Sequence, residues 1–206
     1  DCIVRASAKC SVEKLNSLHP KTKNFTKKIV DAVAIANCDI SRGVTHNKGV
    51  MNGIDAVAIA TGNDFRAIEA GVHAYVSRSG KYQSLTKAKI IGNKFLYSIE
   101  IPLSIGTIGG VTDLHPLVKF ALELLGNPNS NDLMMIMASV GLAQNFGALR
   151  SLVTSGIQKG HMKMHLINLL NKLNANENEK ELAIEHFKNH KINNASVELF
   201  LKNIRK

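Results

Sequence analysis

The stretch that most constrains the fold runs from Ser130 to Leu152, SNDLMMIMASVGLAQNFGALRSL, where apolar residues recur at helical spacing and Ser130 or Asn131 is placed to cap the helix. A helix this apolar has to be covered on more than one side, so the remaining chain must supply a core around it. Gly141 and Gly147 are expected to interrupt it, and Met134, Met135 and Met137 read as core filler rather than a cofactor box. The apolar surface exceeds what this chain can cover, which predicts self-association.

Around that helix the pattern is mixed. Residues 2–10 read as one strand ending near Val12, and 25–37 (FTKKIVDAVAIAN) carry Ile29, Val30, Val33 and Ile35 in a helical pattern. Two further helices are predicted over 46–61 and, after the Gly62-Asn63 break, over 64–77, where Phe65, Ile68, Val72 and Val76 mark one face. KAKIIGNKFLYSIEI then reads as two strands around a Gly92-Asn93 turn. A glycine-rich loop, SIGTIGGVTDLHP, leads into a short helix closed by Gly126. Beyond Gly156 the chain becomes rich in lysine and asparagine. Leu166/Leu169/Leu170, Leu182/Ile184/Phe187 and Val197/Phe200/Leu201 suggest three short amphipathic helices, a small unit joined through SGIQKGH.

With 206 residues, 45% of them hydrophobic, the chain can build one substantial core or a core with a small appendage. No run of about 18 uncharged apolar residues occurs and no signal-peptide order opens the chain, so no membrane span is expected and the cytoplasm is the expected location. Cys2, Cys10 and Cys38 lack metal-type spacing and read as reduced, structural thiols. The formal charge of +10 is spread over the sequence, and with 5% aromatic residues and no tryptophan it argues against a nucleic-acid surface. A solvated basic surface, or attraction for a polyanionic small molecule, accounts for it. The opening DCIVRASAKC has no initiator methionine and starts in strand-like residues, so the chain is expected to be the back part of something longer.

The chemistry concentrates in THNKGVMNGIDAVAIATGND, residues 45–64. Val50, Ile54, Val57 and Ala58 recur at helical spacing, placing Lys48 near the first turn and Asp64 one break beyond the last. Asn47, Lys48 and Asn52 project within a turn of each other, and Gly49 and Gly53 leave room for close approach. That grouping suits an oxygen-rich anionic ligand, though ordinary polar caps would look the same. Asp64 can be a capping aspartate or the charge partner of Lys48. His161, in QKGHMKMH, lies where a flexible segment enters the helical appendage, a place from which a lid could deliver it. His165 follows one turn later, but no zinc pattern surrounds the pair and no metal site is assigned.

THNKGVMNGIDAVAIATGNDFRAIEAGVHAY, SIGTIGGVTDLHPL and VGLAQNFGALRSLVTSGIQKGHM together resemble class II 3-hydroxy-3-methylglutaryl-coenzyme A (HMG-CoA) reductase, in that family's order and spacing. The likeness extends over nearly the whole chain and weakens after about residue 170. It implies a four-electron reduction of a thioester to mevalonate, or the reverse, consuming two hydrides of NADH or NADPH and releasing CoA. On the resemblance, Lys48 is the electrophile on the carbonyl oxygen, Asp64 hydrogen-bonds to that lysine and tunes it, and His161 protonates the departing CoA thiolate. Arg42 and Asn52 match positions that hold the substrate's carboxylate and hydroxyl-bearing part, and Gln144 matches another active-site position. The family also implies a homodimer with active sites at the subunit boundary.

The departures are equally specific. A catalytic glutamate and a DAMGAN-type motif of the cofactor domain, both expected upstream, are not in this sequence. The expected fold class is therefore α+β: residues 1–12 as the last strand of a small cofactor domain, 13–155 as half of a helix-rich large substrate domain with a small sheet or hairpin, and 156–206 as a C-terminal helical flap. The function expected is that of a reductase needing its missing N-terminal half, the alternative being a non-catalytic CoA-binding or dimerisation module.

Overall fold

The computed structural model describes residues 2–109 and 114–205, apart from the side chains of residues 158–161 and 163. These residues form two compact units, Asp1–Thr154 and Ser155–Lys206.

The first unit opens with β1 (Ile3–Ser11), whose last residue caps α1 (Val12–Ser17) by accepting a hydrogen bond from the Lys14 amide. α2 (Phe25–Cys38) and α3 (Ile40–Ala60) are joined by Asp39 alone. Its N–H closes α2 on the Ile35 carbonyl, and its carboxylate accepts the Arg42 amide at 2.6 Å to open α3. α3 therefore begins at Ile40 and not near residue 46, which puts Lys48 in the helix interior rather than in its first turn. Neither glycine nor proline punctuates the joint, so the sequence pattern lacked the usual boundary signal. α4 (Phe65–Val76) starts at the Asp64 cap.

β2 (Thr86–Ile91) and β3 (Lys94–Pro102) form the hairpin, with Gly92 at φ +56° in the first position of its two-residue turn, where only glycine is unstrained. The sheet order is β1-β3-β2, antiparallel throughout, with Val4 opposite Ile101 and Ala88 opposite Tyr97. Period-two alternation turns Phe95, Tyr97, Ile99 and Ile101 of β3 into the core. β1, expected as the tail of a preceding domain over residues 1–12, pairs with β3 along its whole length and packs on the long helix described next, so it belongs to this unit's sheet. Part of the expected glycine-rich loop, residues 110–113, lies outside the described residues.

α5 (Pro116–Leu124) precedes α6 (Ser130–Val153), which is continuous and capped by Asn129, one residue before the expected cap. Gly141 does not interrupt it. A Cβ there would stand 2.9 Å from Ile54 Cδ1, and one at Gly53 would stand 2.9 Å from Gln144 Cβ and 3.0 Å from the Val140 carbonyl oxygen. These two glycines let α3 and α6 lie nearly backbone to backbone, and the helical hydrogen bonds need not break for that. Gly147 faces open space, and nothing in the structure explains a glycine there. Contrary to the sequence expectation, α6 is long and apolar enough to cross a membrane. Here its Leu133, Met137, Leu142 and Leu149 are buried in the core it shares with α3 and the sheet.

The second unit is built from α7 (Ile157–Lys172), α8 (Glu177–His186) and α9 (Asn194–Ile204) around Leu166, Leu170, Ala183, Val197 and Leu201. Capping boxes at Asn176/Glu179 and Asn193/Ser196 start its last two helices. Leu182, expected on the buried face, is exposed, and its neighbour Ala183 takes the core position.

Candidate active site

The site grows from one turn of α3. His46 and Asn47 are both buried, His46 tied to the first residue of β2 and Asn47 to the segment that leads into it. His46 Nε2 hydrogen-bonds Thr86 Oγ1 at 2.7 Å, while Asn47 donates to the Gln83 carbonyl at 2.8 Å and accepts from the Leu85 amide at 2.9 Å. From the other side Asn145 of α6 donates to the His46 carbonyl at 2.8 Å and accepts from the Tyr97 hydroxyl of β3. Buried amides paired this fully fix a single arrangement, because any shift would leave a donor or acceptor unsatisfied.

Lys48 is the exposed residue of this anchored turn, and Asn52, one turn on, is exposed on the same face. Gln144 is exposed on α6, with its Cβ against Gly53. Lys48 and Asn52, both singled out in the sequence, therefore share one face of α3, and Gln144 of α6 lies beside Gly53, the residue after Asn52. Asn47 does not join them; its amide is spent on the backbone of residues 83 and 85. Gly49 and Gly53 also serve another end, since each faces α6 rather than leaving space for a ligand.

Arg42 is half-buried, with one guanidinium nitrogen 3.1 Å from Thr45 Oγ1, and desolvation presses its pKa downward. Its charge is also felt by His46, whose pKa is pushed down to about 3, first by burial and then by that charge, leaving a neutral imidazole. Asp64 is exposed and spends its carboxylate on the cap of α4, accepting from the Arg66 amide at 3.0 Å and the Ala67 amide at 3.3 Å. Those backbone hydrogen bonds, chiefly that of Ala67, lower its pKa. It does not meet Lys48 within this chain, because the helix between them rises roughly 18 Å from Lys48 to Ala60. The side chain of His161 lies outside the described residues; its backbone belongs to α7.

One titratable chain had no counterpart in the sequence reading. His73 of α4 bonds Glu69 through Nε2 at 2.7 Å and the Tyr82 hydroxyl through Nδ1 at 2.9 Å. The Glu69 carboxyl in turn faces that of Asp55 on α3. Burial, reinforced by the Glu69 hydrogen bond and charge, raises Asp55 to about 6, with His73 pulling the other way. The i, i+4 spacing of Glu69 and His73 was visible in the sequence, but nothing there revealed Asp55 as their neighbour.

No group of three or more metal-type side chains exists among the described residues. A cleft of about 430 Å³ between β1 and α6 is walled by Ala6, Leu15, Phe95, Leu142 and Phe146, with Lys9 as its one charged group. That lining lacks the convergent donors a dinucleotide's phosphates require, so it does not fit a nicotinamide cofactor.

The sequence pattern of the family described as Hydroxymethylglutaryl-coenzyme A reductase matches residues 1–166. The chain belongs to this family. A 3-hydroxy-3-methylglutaryl-coenzyme A reductase of Archaeoglobus fulgidus is 47% identical over 163 residues, covering 76% of this chain and 36% of that protein. Among solved structures, the reductase from Streptococcus pneumoniae matches with a TM-score of 0.71 and 38% identity, over 98% of this chain and 49% of that one. The class II enzyme of the same organism, bound to NADPH in open conformations, matches with a TM-score of 0.71 and 39% identity, over 99% and 50%. The chain thus spans about a third to a half of the length of the reductases it matches.

Proposed function

We propose that this chain is part of an HMG-CoA reductase that takes HMG-CoA to mevalonate and CoA with two equivalents of NADH or NADPH, or runs the reverse reaction. The observation that carries the reading is Lys48, exposed on a turn fixed from both sides, with Asn52 on its own face and Gln144 alongside. An ammonium held in place ahead of the reaction stabilises charge as it develops on a thioester or aldehyde oxygen. Asn52 and Gln144 offer amide donors and acceptors for the hydroxyl-bearing part of the substrate, and Arg42 offers a cation for its carboxylate. His161 is assigned the proton delivered to the CoA thiolate, a task for which an imidazole is suited near neutral pH.

Asp64 enters this scheme from a second copy of the chain, since its own helix holds it away from Lys48. A homodimer is supported by apolar side chains that the first unit leaves exposed, among them Ile35, Ile40 and Val44 at the α2–α3 joint and Leu117, Phe120 and Leu124 on α5. The nicotinamide cofactor supplies the hydrides; its binding is assigned to the portion of the protein outside this chain. Within the scheme residues 13–155 are substrate and dimer domain, joined by β1, and 156–206 are the flap. Free Cys2, Cys10 and Cys38 suit a reducing cytoplasm.

The test is HMG-CoA-dependent oxidation of NADH or NADPH by the complete protein and by this chain alone. The complete protein is expected to turn over, the chain alone to be inactive, and Lys48→Met in the complete protein to lose on the order of a hundredfold or more in kcat. A folded complete protein without HMG-CoA-dependent oxidation overturns the reading.

A further inference from the structure

We propose that Asn145 is a positioning residue for Lys48, holding the turn that presents the lysine through the His46 carbonyl; the inference rests on the catalytic reading of Lys48 above. Asn145 is 1% exposed, and its side-chain amide spans three elements. Its nitrogen donates to the His46 carbonyl of α3 at 2.8 Å, its oxygen accepts from the Tyr97 hydroxyl of β3, and its own backbone belongs to α6. The His46 carbonyl lies in the interior of a continuous helix, where backbone hydrogen bonding already serves it, so the amide is a second donor aimed at that one turn.

The sequence makes room for this contact. A Cβ on Gly49 would stand 3.3 Å from Asn145 Nδ2 and 3.4 Å from Ala148 Cβ, so the residue after Lys48 is the one whose missing side chain admits the amide. Asn47, the residue before Lys48, is held from the opposite side by the backbone of residues 83 and 85. Lys48 is thus flanked on both sides by residues that cannot move independently, and its ammonium is carried on the outward face between them. Asn145 also follows Gln144, whose Cβ packs on Gly53. The place of Gln144 along α3 is set by the close approach of the helices at Gly53 and Gly141, and does not depend on the Asn145 hydrogen bond.

A buried asparagine that only filled space would cost desolvation with no return, whereas this one satisfies a hydroxyl and a carbonyl on two other elements. Its loss should release the turn while leaving the binding groups in place. The effect belongs in kcat, because a misplaced cation loses most of its value where charge develops.

The experiment compares steady-state kinetics of the complete protein with Asn145→Ala, Gly49→Ala, Lys48→Met and the Asn145→Ala/Lys48→Met double variant. Asn145→Ala is expected to lower kcat about 10- to 100-fold with KM for HMG-CoA within about threefold, and to cost less than about twofold more once Lys48 is already methionine. Gly49→Ala, which displaces the amide without removing it, should show a smaller loss of the same kind. It carries the test should Asn145→Ala not fold. Lys48→Met collapsing while Asn145→Ala or a folded Gly49→Ala keeps full kcat overturns this inference alone, as do fully additive losses in the double variant. Near-normal turnover by Lys48→Met overturns it together with the catalytic reading beneath it.

Discussion

Lys48, inside α3, and Asp64, beyond the end of that helix, do not meet in the same chain. From Lys48 the helix continues without a break to Ala60, and Asp64 lies past the turn as the cap of α4, bonded to the amides of Arg66 and Ala67. A lysine and an aspartate side chain together reach about half the distance that stretch of helix imposes. If the pair acts as one electrostatic unit, its two members come from two chains.

Mixing two inactive variants tests this. Lys48→Met and Asp64→Asn, each made in the complete protein, are expected to be nearly inactive alone. Subunit exchange between them should restore about a quarter of wild-type activity, because half the dimers are then mixed and each mixed dimer has one intact Lys48–Asp64 pair. No recovery after verified exchange would place both residues in one subunit's site, or leave Asp64 as a helix cap only.

Part of this arrangement can be read from the sequence. A helical period puts Lys48 and Asn52 on one face, while Gln144 is singled out by the family resemblance alone. Asn47 is not separable from Asn52 in the sequence because an exposed and a buried amide look alike until the segment 83–85 is packed against one of them. Gly49 and Gly53 read as room for a ligand, although a neighbouring helix uses the same absence of a side chain. Asp39 escaped notice because one residue serves both helix ends and leaves no stretch of loop to detect. The Asp55–Glu69–His73 contact is between helices, and one sequence without homologues gives no register for that.

The two glycines of the long helix pair predict opposite outcomes. At Gly53 an added methyl would meet the Val140 carbonyl oxygen at 3.0 Å and Gln144 Cβ at 2.9 Å, and the main-chain atom cannot step aside. Gly53→Ala should destabilise by about 1–3 kcal/mol, the usual range for overpacking. Gly147→Ala meets nothing within 4 Å and sits mid-helix, so it should stabilise by about 0.5–1 kcal/mol. Denaturant midpoints of the complete protein decide; equal shifts in one direction would contradict the close approach of α3 and α6.

For His161 the two half-reactions of the proposed activity are separable. Only the first would release CoA, so only it would need a proton on a thiolate. His161→Gln should lower HMG-CoA reduction about a hundredfold and leave mevaldehyde reduction within about threefold. Equal losses on both substrates would make His161 a structural residue of the second unit.

The carboxyl of Asp55 gives a stability signature with a definite sign. Its pKa is raised from 3.8 to about 6 in the folded chain, chiefly by burial and then by Glu69, so folding tightens its hold on the proton. Stability from this group is then fully present below its unfolded value and declines as pH rises through about 6, the reverse of a carboxylate held by a cation. The groups facing it are Glu69, which favours the protonated form, and His73, which opposes it; Tyr82 lies beyond His73. Asp55→Asn keeps the shape and removes the charge. Thermal melts of the complete protein from about pH 4 to about pH 8 should show the variant matching wild type at the acid end and melting a few degrees higher at the alkaline end. Parallel curves across the whole range would mean that Asp55 ionises as freely folded as unfolded, and the carboxyl pair between α3 and α4 would then be open to water.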